Sequence, residues 1–238
     1  MAGPVTAWML MLAAAGPAAA GTFSIAPVRV ELSGSERTAV LTVHNDDAAP
    51  LVVQVSTLNW TQAGGEEANA PTRELLATPP VFTLPPNGEQ IIRVALRRDP
   101  DATRELDYRL LLAEVPQPAD KNFTGLRVAL RLSIPVFVKA ASASAAQLRW
   151  SAHWLADGGL SVSATNEGLT HQQVSDFTLH FAGSEALARG VVSRYVLPGS
   201  TVTWKIAPPA GVAHDAAIRI EGASDQGDFK ADVAFAGG

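Results

Sequence analysis

Apolar and polar residues alternate one by one in segment after segment of this chain. Leu41 and Val43; Leu51, Val53 and Val55; Ile92, Val94 and Leu96; Tyr108, Leu110 and Leu112; and Leu126, Val128, Leu130, Leu132 and Ile134 each mark such a run. Side chains on a strand point to opposite faces in turn, so each run predicts a half-buried β-strand. Between them lie turn-forming clusters: Asn45-Asp46-Asp47, Ala63-Gly64-Gly65, Pro85-Pro86-Asn87-Gly88 and Asp99-Pro100-Asp101. A second series follows: Leu160, Val162 and Ala164; Phe177, Leu179 and Phe181; Val202, Trp204 and Ile206; Ile218 and Ile220; and Phe229, Ala231, Val233 and Phe235. Short strands at this spacing, with no long helical pattern between them, predict an all-β protein of the sandwich kind. The small-residue stretch Ala140 to Ala146 separates the two series. Two sandwiches are therefore expected, residues 22–139 and 140–238.

The first residues follow a different rule. Met1 to Ala20 carry no charged side chain and run through Trp8-Met9-Leu10-Met11-Leu12 into Ala18-Ala19-Ala20-Gly21. This pattern predicts a secretory signal peptide over residues 1–20, cut near Ala20, although a basic leading segment is missing. The competing reading, a membrane anchor, requires a longer apolar run without Gly16 and Pro17. The expected product is soluble and exported, without stable membrane insertion.

Composition removes several kinds of function. The 238 residues include no cysteine and carry a formal net charge of −5. Disulfides, thiolate metal sites and cysteine nucleophiles are excluded, and acids outnumber bases in both halves, which argues against nucleic-acid binding. No phosphate-binding loop, zinc-protease helix motif or serine-hydrolase elbow is present; Gly222-Ala223-Ser224-Asp225-Gln226-Gly227 has the wrong spacing for the last. The five histidines are scattered without metal-ligand spacing. A non-enzymatic protein without metal or cofactor is the expectation. Asn59-Trp60-Thr61 and Asn122-Phe123-Thr124 match the glycosylation sequon, a triplet that also arises by chance.

One run carries more information than the rest. From Leu126 to Ile134 every even position is a large aliphatic, while Arg127, Ala129, Arg131 and Ser133 fill the odd ones. Two readings fit: an ordinary core strand, or an edge strand that lends its apolar row to another polypeptide's sheet.

The order of motifs resembles the periplasmic chaperones of the chaperone-usher pilus pathway, the PapD-like family. The carrying residues are Phe23-Ser24-Ile25-Ala26-Pro27-Val28-Arg29-Val30; Val43-His44-Asn45 with Val53-Gln54-Val55 and Trp60; Thr78-Pro79-Pro80-Val81-Phe82; Leu84-Pro85-Pro86-Asn87-Gly88; and Gln90-Ile91-Ile92-Arg93-Val94. Further along come Glu105, Tyr108-Arg109-Leu110, Glu114-Val115-Pro116 and Ser133-Ile134-Pro135-Val136-Phe137-Val138, then Asn166-Glu167-Gly168 with His171 and Leu197-Pro198-Gly199-Ser200. Each is weak alone; in this order they are specific.

The resemblance implies two immunoglobulin-like sandwiches arranged as an L, a periplasmic location, pilus subunits and an outer-membrane usher as partners, and no cofactor. It implies that Leu126, Val128, Leu130, Leu132 and Ile134 form a donor strand completing a subunit's unfinished core. It also implies that Arg29 grips the subunit's terminal carboxylate. The family's second anchor, a lysine, is replaced by Pro135; Arg93 is the first substitute and Arg131 a weaker one. An inter-domain ion cluster is implied at Glu105, Lys139 and Asp225. The short connection Gln117 to Gly125 and the absence of cysteine point to the short-loop or archaic branch. The reading from another class is a secreted two-domain adhesin or carbohydrate-binding module, for which clustered exposed aromatics would speak; an exported hydrolase would need a polar triad that the sequence does not offer. The cognate subunit, and self-association of the free chaperone through the donor edge, stay open at this level.

Overall fold

The computed structural model describes residues 23–116, 128–142, 145–185, 187–190 and 193–235. The expected signal peptide, the connection Gln117 to Gly125, the Asn122 sequon and Leu126 lie outside the described residues.

The first sandwich contains β1 (Phe23–Ala26), β2 (Val30–Leu32), β3 (Thr38–Asn45), β4 (Leu51–Ala63), β5 (Glu66–Pro71), β6 (Leu75–Thr78), β7 (Val81–Leu84), β8 (Glu89–Leu96), β9 (Leu106–Glu114) and β10 (Arg131–Val138). One sheet has the order β1-β3-β8-β6, the other β2-β10-β9-β4-β5, with β7 also on β4. The opening segment thus serves both sheets: β1 pairs antiparallel with β3, and β2 runs parallel to the end of β10. The inward residues predicted by alternation fill the space between the sheets, among them Leu41, Val43, Val53, Ile92, Val94, Tyr108, Leu110 and Leu112.

The second sandwich contains β11 (Leu148–Trp154), β12 (Leu160–Asn166), β13 (Gln172–Phe181), β14 (Leu187–Gly190), β15 (Arg194–Val196), β16 (Thr201–Ile206), β17 (Ile218–Ser224) and β18 (Gly227–Phe235). Its strands follow the order β14-β13-β17-β18-β11-β12-β16, and β15 pairs with β13. A short parallel contact of Ser151 and Ala152 with Ala234 and Phe235 joins its two halves. The architecture is two immunoglobulin-like β-sandwiches.

Each sandwich is tied by one fully buried asparagine. The Asn45 amide donates to the carbonyls of Ala49, Pro85 and Leu84 at 2.8, 3.0 and 3.4 Å, and its oxygen accepts from the Asp47 N–H. Asn166 donates to the carbonyls of Thr170 and Val196 and accepts from the N–H groups of Gln147 and Gly168. These side chains satisfy loop carbonyls and amides that strand ladders leave unpaired. Asn45→Ala is expected to cost about 2–4 kcal/mol, because buried carbonyls lose their donor. The check is the urea midpoint of unfolding, which should fall with the slope unchanged.

The β4–β5 hairpin reaches across to the second sandwich. Gly64 and Gly65 turn it with φ of 61° and 83°, a left-handed pair that glycine adopts without steric cost. At its tip, Gln62 donates to the Tyr195 carbonyl at 2.9 Å and accepts the Leu197 N–H at 3.0 Å, while Arg194 donates to the Gly65 carbonyl. Trp60, Phe137 and Leu197 form a separate buried cluster, with Tyr195 packed against it, so the sandwiches share an apolar contact.

Candidate functional site

β10 is paired along its whole length with β9, from Arg131 opposite Ala113 to Val138 opposite Leu106. On its other flank β2 covers only Val136 to Val138. From Arg131 to Pro135 that flank has no strand among the described residues. Sequence alternation placed this strand over Leu126 to Ile134; the ladder instead starts at Arg131 and continues through Pro135 to Val138. Proline is accommodated in an edge strand, where one flank needs no ladder bond, so Pro135 does not end it.

Exposure of the aliphatic row falls steadily toward the covered end. Val128 is 58% exposed, Leu130 and Leu132 are half-buried against the rim of the core, and Ile134 is 5% exposed within it. Ile134, expected to point to a partner, instead has its side chain in this protein's own interior. The backbone at Leu130 is held by Glu114, whose carboxylate accepts the Leu130 N–H at 3.0 Å while its own N–H donates to the Leu130 carbonyl.

Beyond the covered end of β10 lies a cleft between the sandwiches, about 500 Å³ in volume and lined by Arg29, Glu31, Glu105, Lys139, His171 and Asp225, among others. The expected ion cluster needs a correction here. Glu105 and Asp225 do face one another, but the base between them is His171. Its Nδ1 is 2.6 Å from Glu105 Oε1 and its Nε2 is 3.5 Å from Asp225 Oδ2. Lys139 turns away to Glu31, 2.6 Å distant. The reason is access: the loop between β12 and β13 delivers the His171 ring directly over Phe137, with centroids 3.4 Å apart and planes 11° apart, and there it fills the gap between the acids. The His171 N–H also donates to Glu105, and Gln226 donates to the His171 carbonyl.

Electrostatics follow from this packing. Burial works against a charge on His171, but hydrogen bonds to Asp225 and Glu105 outweigh it and push the imidazole up to about 9, so it is cationic at neutral pH. Burial raises Asp107 well above the ordinary carboxylate range, and the neighbouring Glu105 carboxylate adds to the rise. Asp225 is also opposed by burial, yet His171, the Gln173 N–H and Arg29 bring it below its usual value. Arg29 donates from Nη1 to Asp225 Oδ2 at 2.8 Å.

The remaining cations are placed differently from expectation. Arg93 lies on β8, between Val40 and Thr78 in the four-stranded sheet, exposed on its outer face. It does not line the cleft, because β8 and β10 belong to opposite sheets, so the structure does not bring Arg93 to Arg29. Arg131 is exposed at the start of β10. Sequence reasoning gave Arg109 only as part of a motif; the structure sets it directly opposite Pro135. Its guanidinium lies 3.8 Å over the Trp60 ring, bonds Glu67 at 2.8 Å and donates to the Ser133 hydroxyl. Only the register of β9 against β10 reveals that position.

Among the described residues no group of histidines and acids is arranged to hold a metal ion, and no helix is long and apolar enough to cross a membrane.

Comparison with solved structures gives the same two-sandwich fold. A chain in the CsuC-CsuE chaperone-tip adhesion subunit pre-assembly complex from archaic Csu pili of Acinetobacter baumannii matches with a TM-score of 0.68 at 21% identity, over 91% of this chain and 100% of that one. The E. coli chaperone DraB matches with a TM-score of 0.58 at 18% identity, covering 90% and 99%. A chain in the complex of the Salmonella enterica SafA pilin with the SafB chaperone matches at 0.60 and 17%, covering 91% and 98%. No curated protein matches the chain in sequence. The model of the PapD N-terminal domain, described as a pili and flagellar-assembly chaperone, matches residues 22–143, and the chain belongs to that family of chaperones rather than to a class of enzymes.

Proposed function

We propose that this protein is a periplasmic chaperone that captures pilus subunits by donating the β10 edge to their incomplete sheet and passes them to an outer-membrane usher. The observation that carries this reading is the uncovered flank of β10, with Val128, Leu130 and Leu132 emerging progressively from the core. Backbone groups along such a flank can bond an incoming strand, while the alternate side chains enter the partner's core. Burying one aliphatic side chain contributes about 1.5–3 kcal/mol, so the three described knobs supply roughly 4–9 kcal/mol before ordering costs. Two solved relatives are themselves complexes with a tip subunit and with a pilin, which supports the assignment of the partner.

The adhesin or carbohydrate-binding reading needs an aromatic platform in solvent. Trp60, Trp150 and Trp204 are buried instead, and Trp154 is partly buried with His214 stacked on it.

The test is co-expression with a cognate pilus subunit, followed by isolation from the periplasm. A one-to-one complex is expected, and a subunit that accumulates equally well without the chaperone refutes the proposal. Arg29→Ala should lower the yield of complex several-fold. Its ion pairs with Asp225 and Glu31 are partly exposed, so the loss of folding stability should stay within about 1 kcal/mol. Unchanged yield would remove Arg29 from the anchor.

A further inference from the structure

The parallel pairing of β2 with β10 places Glu31 opposite Phe137, between two cations. Glu31 Oε1 lies 3.4 Å from Arg29 Nη2, and Glu31 Oε2 lies 2.6 Å from Lys139 Nζ. A carboxylate with a guanidinium on one oxygen and an ammonium on the other is the arrangement that a chain terminus would need in the same place. All three side chains are reachable from the cleft, at 35% exposure for Arg29, 39% for Glu31 and 58% for Lys139. The hydrogen bond from Lys139 draws the Glu31 carboxyl below its ordinary range against its partial burial, with the charges of Lys139 and Arg29 adding to the effect.

Lys139 is free for this role because His171 already stands between Glu105 and Asp225. The alternatives are worse placed. Arg93 faces solvent on the other sheet, and Arg109 is 17% exposed and engaged by Glu67 and Ser133. Arg29 uses Nη1 for Asp225 and turns Nη2 toward Glu31, so it can keep the inter-domain pair while receiving a second carboxylate.

We propose that Lys139 is the second cation of the carboxylate anchor, and that Glu31 is a built-in placeholder which the terminal carboxylate of a pilus subunit displaces from Lys139 and Arg29. The proposal rests on the donor-edge reading above and assigns the cation that Pro135 leaves missing. Glu31 keeps the two cations oriented in the free protein and competes with any anion that cannot bond both.

The experiment uses a synthetic peptide copying the last strand of the co-expressed subunit, as free acid and as carboxamide, titrated calorimetrically into the full chain. The wild type should prefer the acid roughly tenfold. Lys139→Met should bring that preference to about threefold or less with an unchanged melting temperature, whereas Arg109→Met should keep the wild-type ratio. Glu31→Gln should tighten binding of the acid about threefold or more and leave the amide as it was. An unaltered acid-to-amide ratio in Lys139→Met, a ratio lost in Arg109→Met instead, or weaker acid binding in Glu31→Gln overturns the assignment. Absence of binding by either peptide form to the wild type overturns the donor-edge reading itself, a result distinct from binding that ignores Lys139.

Discussion

Replacing Val128 and Leu130 together by Asp is expected to reduce subunit capture at least a hundredfold while the chaperone stays folded. Two aliphatic knobs lost from a partner's core remove about 3–6 kcal/mol, and two carboxylates would have to be desolvated in their place. The protein's own fold is little concerned, since Val128 is more than half exposed and Leu130 only rims the core. A small destabilisation is expected at position 130, where the new carboxylate would stand near Glu114. The contrast is Ile134→Asp, two register steps along the same face, which puts a charge into the chaperone's interior and should unfold it. Subunit levels in the periplasm, measured beside a circular-dichroism melt of each variant, separate the two cases. Wild-type levels of subunit with a folded double variant would show that β10 is not the donor.

The same row illustrates what a sequence can and cannot carry. Alternation assigned the faces of Leu130, Leu132 and Ile134 correctly, because the period of a strand is a local property. It treated the three as equal, because burial depends on which neighbour lies alongside, and β2 comes from far earlier in the chain and begins only at Val30, opposite Val136, so that its pairing never reaches Leu130 or Leu132. Strand β5 was missed for the opposite reason. Glu66 to Pro71 are all exposed and show no apolar alternation, yet the turn Ala63-Gly64-Gly65, which was legible, folds them back on β4. The ion cluster fared likewise. Glu105 and Asp225 were readable by position, but nothing local distinguishes Lys139 from His171 as their base. That choice is made by the stacking of the His171 ring on Phe137 across the domain boundary. The apolar contact of Trp60, Phe137 and Leu197 is equally a product of tertiary placement.

Removing that base should have the largest effect on stability of any single change outside the sandwich cores. His171→Ala leaves Glu105, 3% exposed, without its cation, and unpaired buried charges of this kind cost about 3–5 kcal/mol. Part of any loss will come from the ring stacked on Phe137, so the charge must be separated by its pH dependence. His171 is held at about 9 in the folded protein against an ordinary 6.5, so the folded state keeps a proton that the unfolded chain releases between those values. Its stabilisation is complete below pH 6.5 and is lost as pH rises toward 9, by up to about 3 kcal/mol. The groups facing the ring are Glu105, Asp107, Asp225, Arg29 and Tyr195. Of these, Asp225 is shifted downward, so its stabilisation is lost on the acid side, as pH falls below the ordinary carboxylate value. Asp107 is shifted upward and favours the folded state at low pH, losing that contribution as pH rises through its own raised value. Urea unfolding at pH 6.5, 7.5 and 9 should therefore show the wild type weakening steadily and His171→Ala starting lower with a flatter profile. Parallel profiles for the two proteins would mean that His171 is neutral in the folded state and that its contact with Glu105 is an uncharged hydrogen bond.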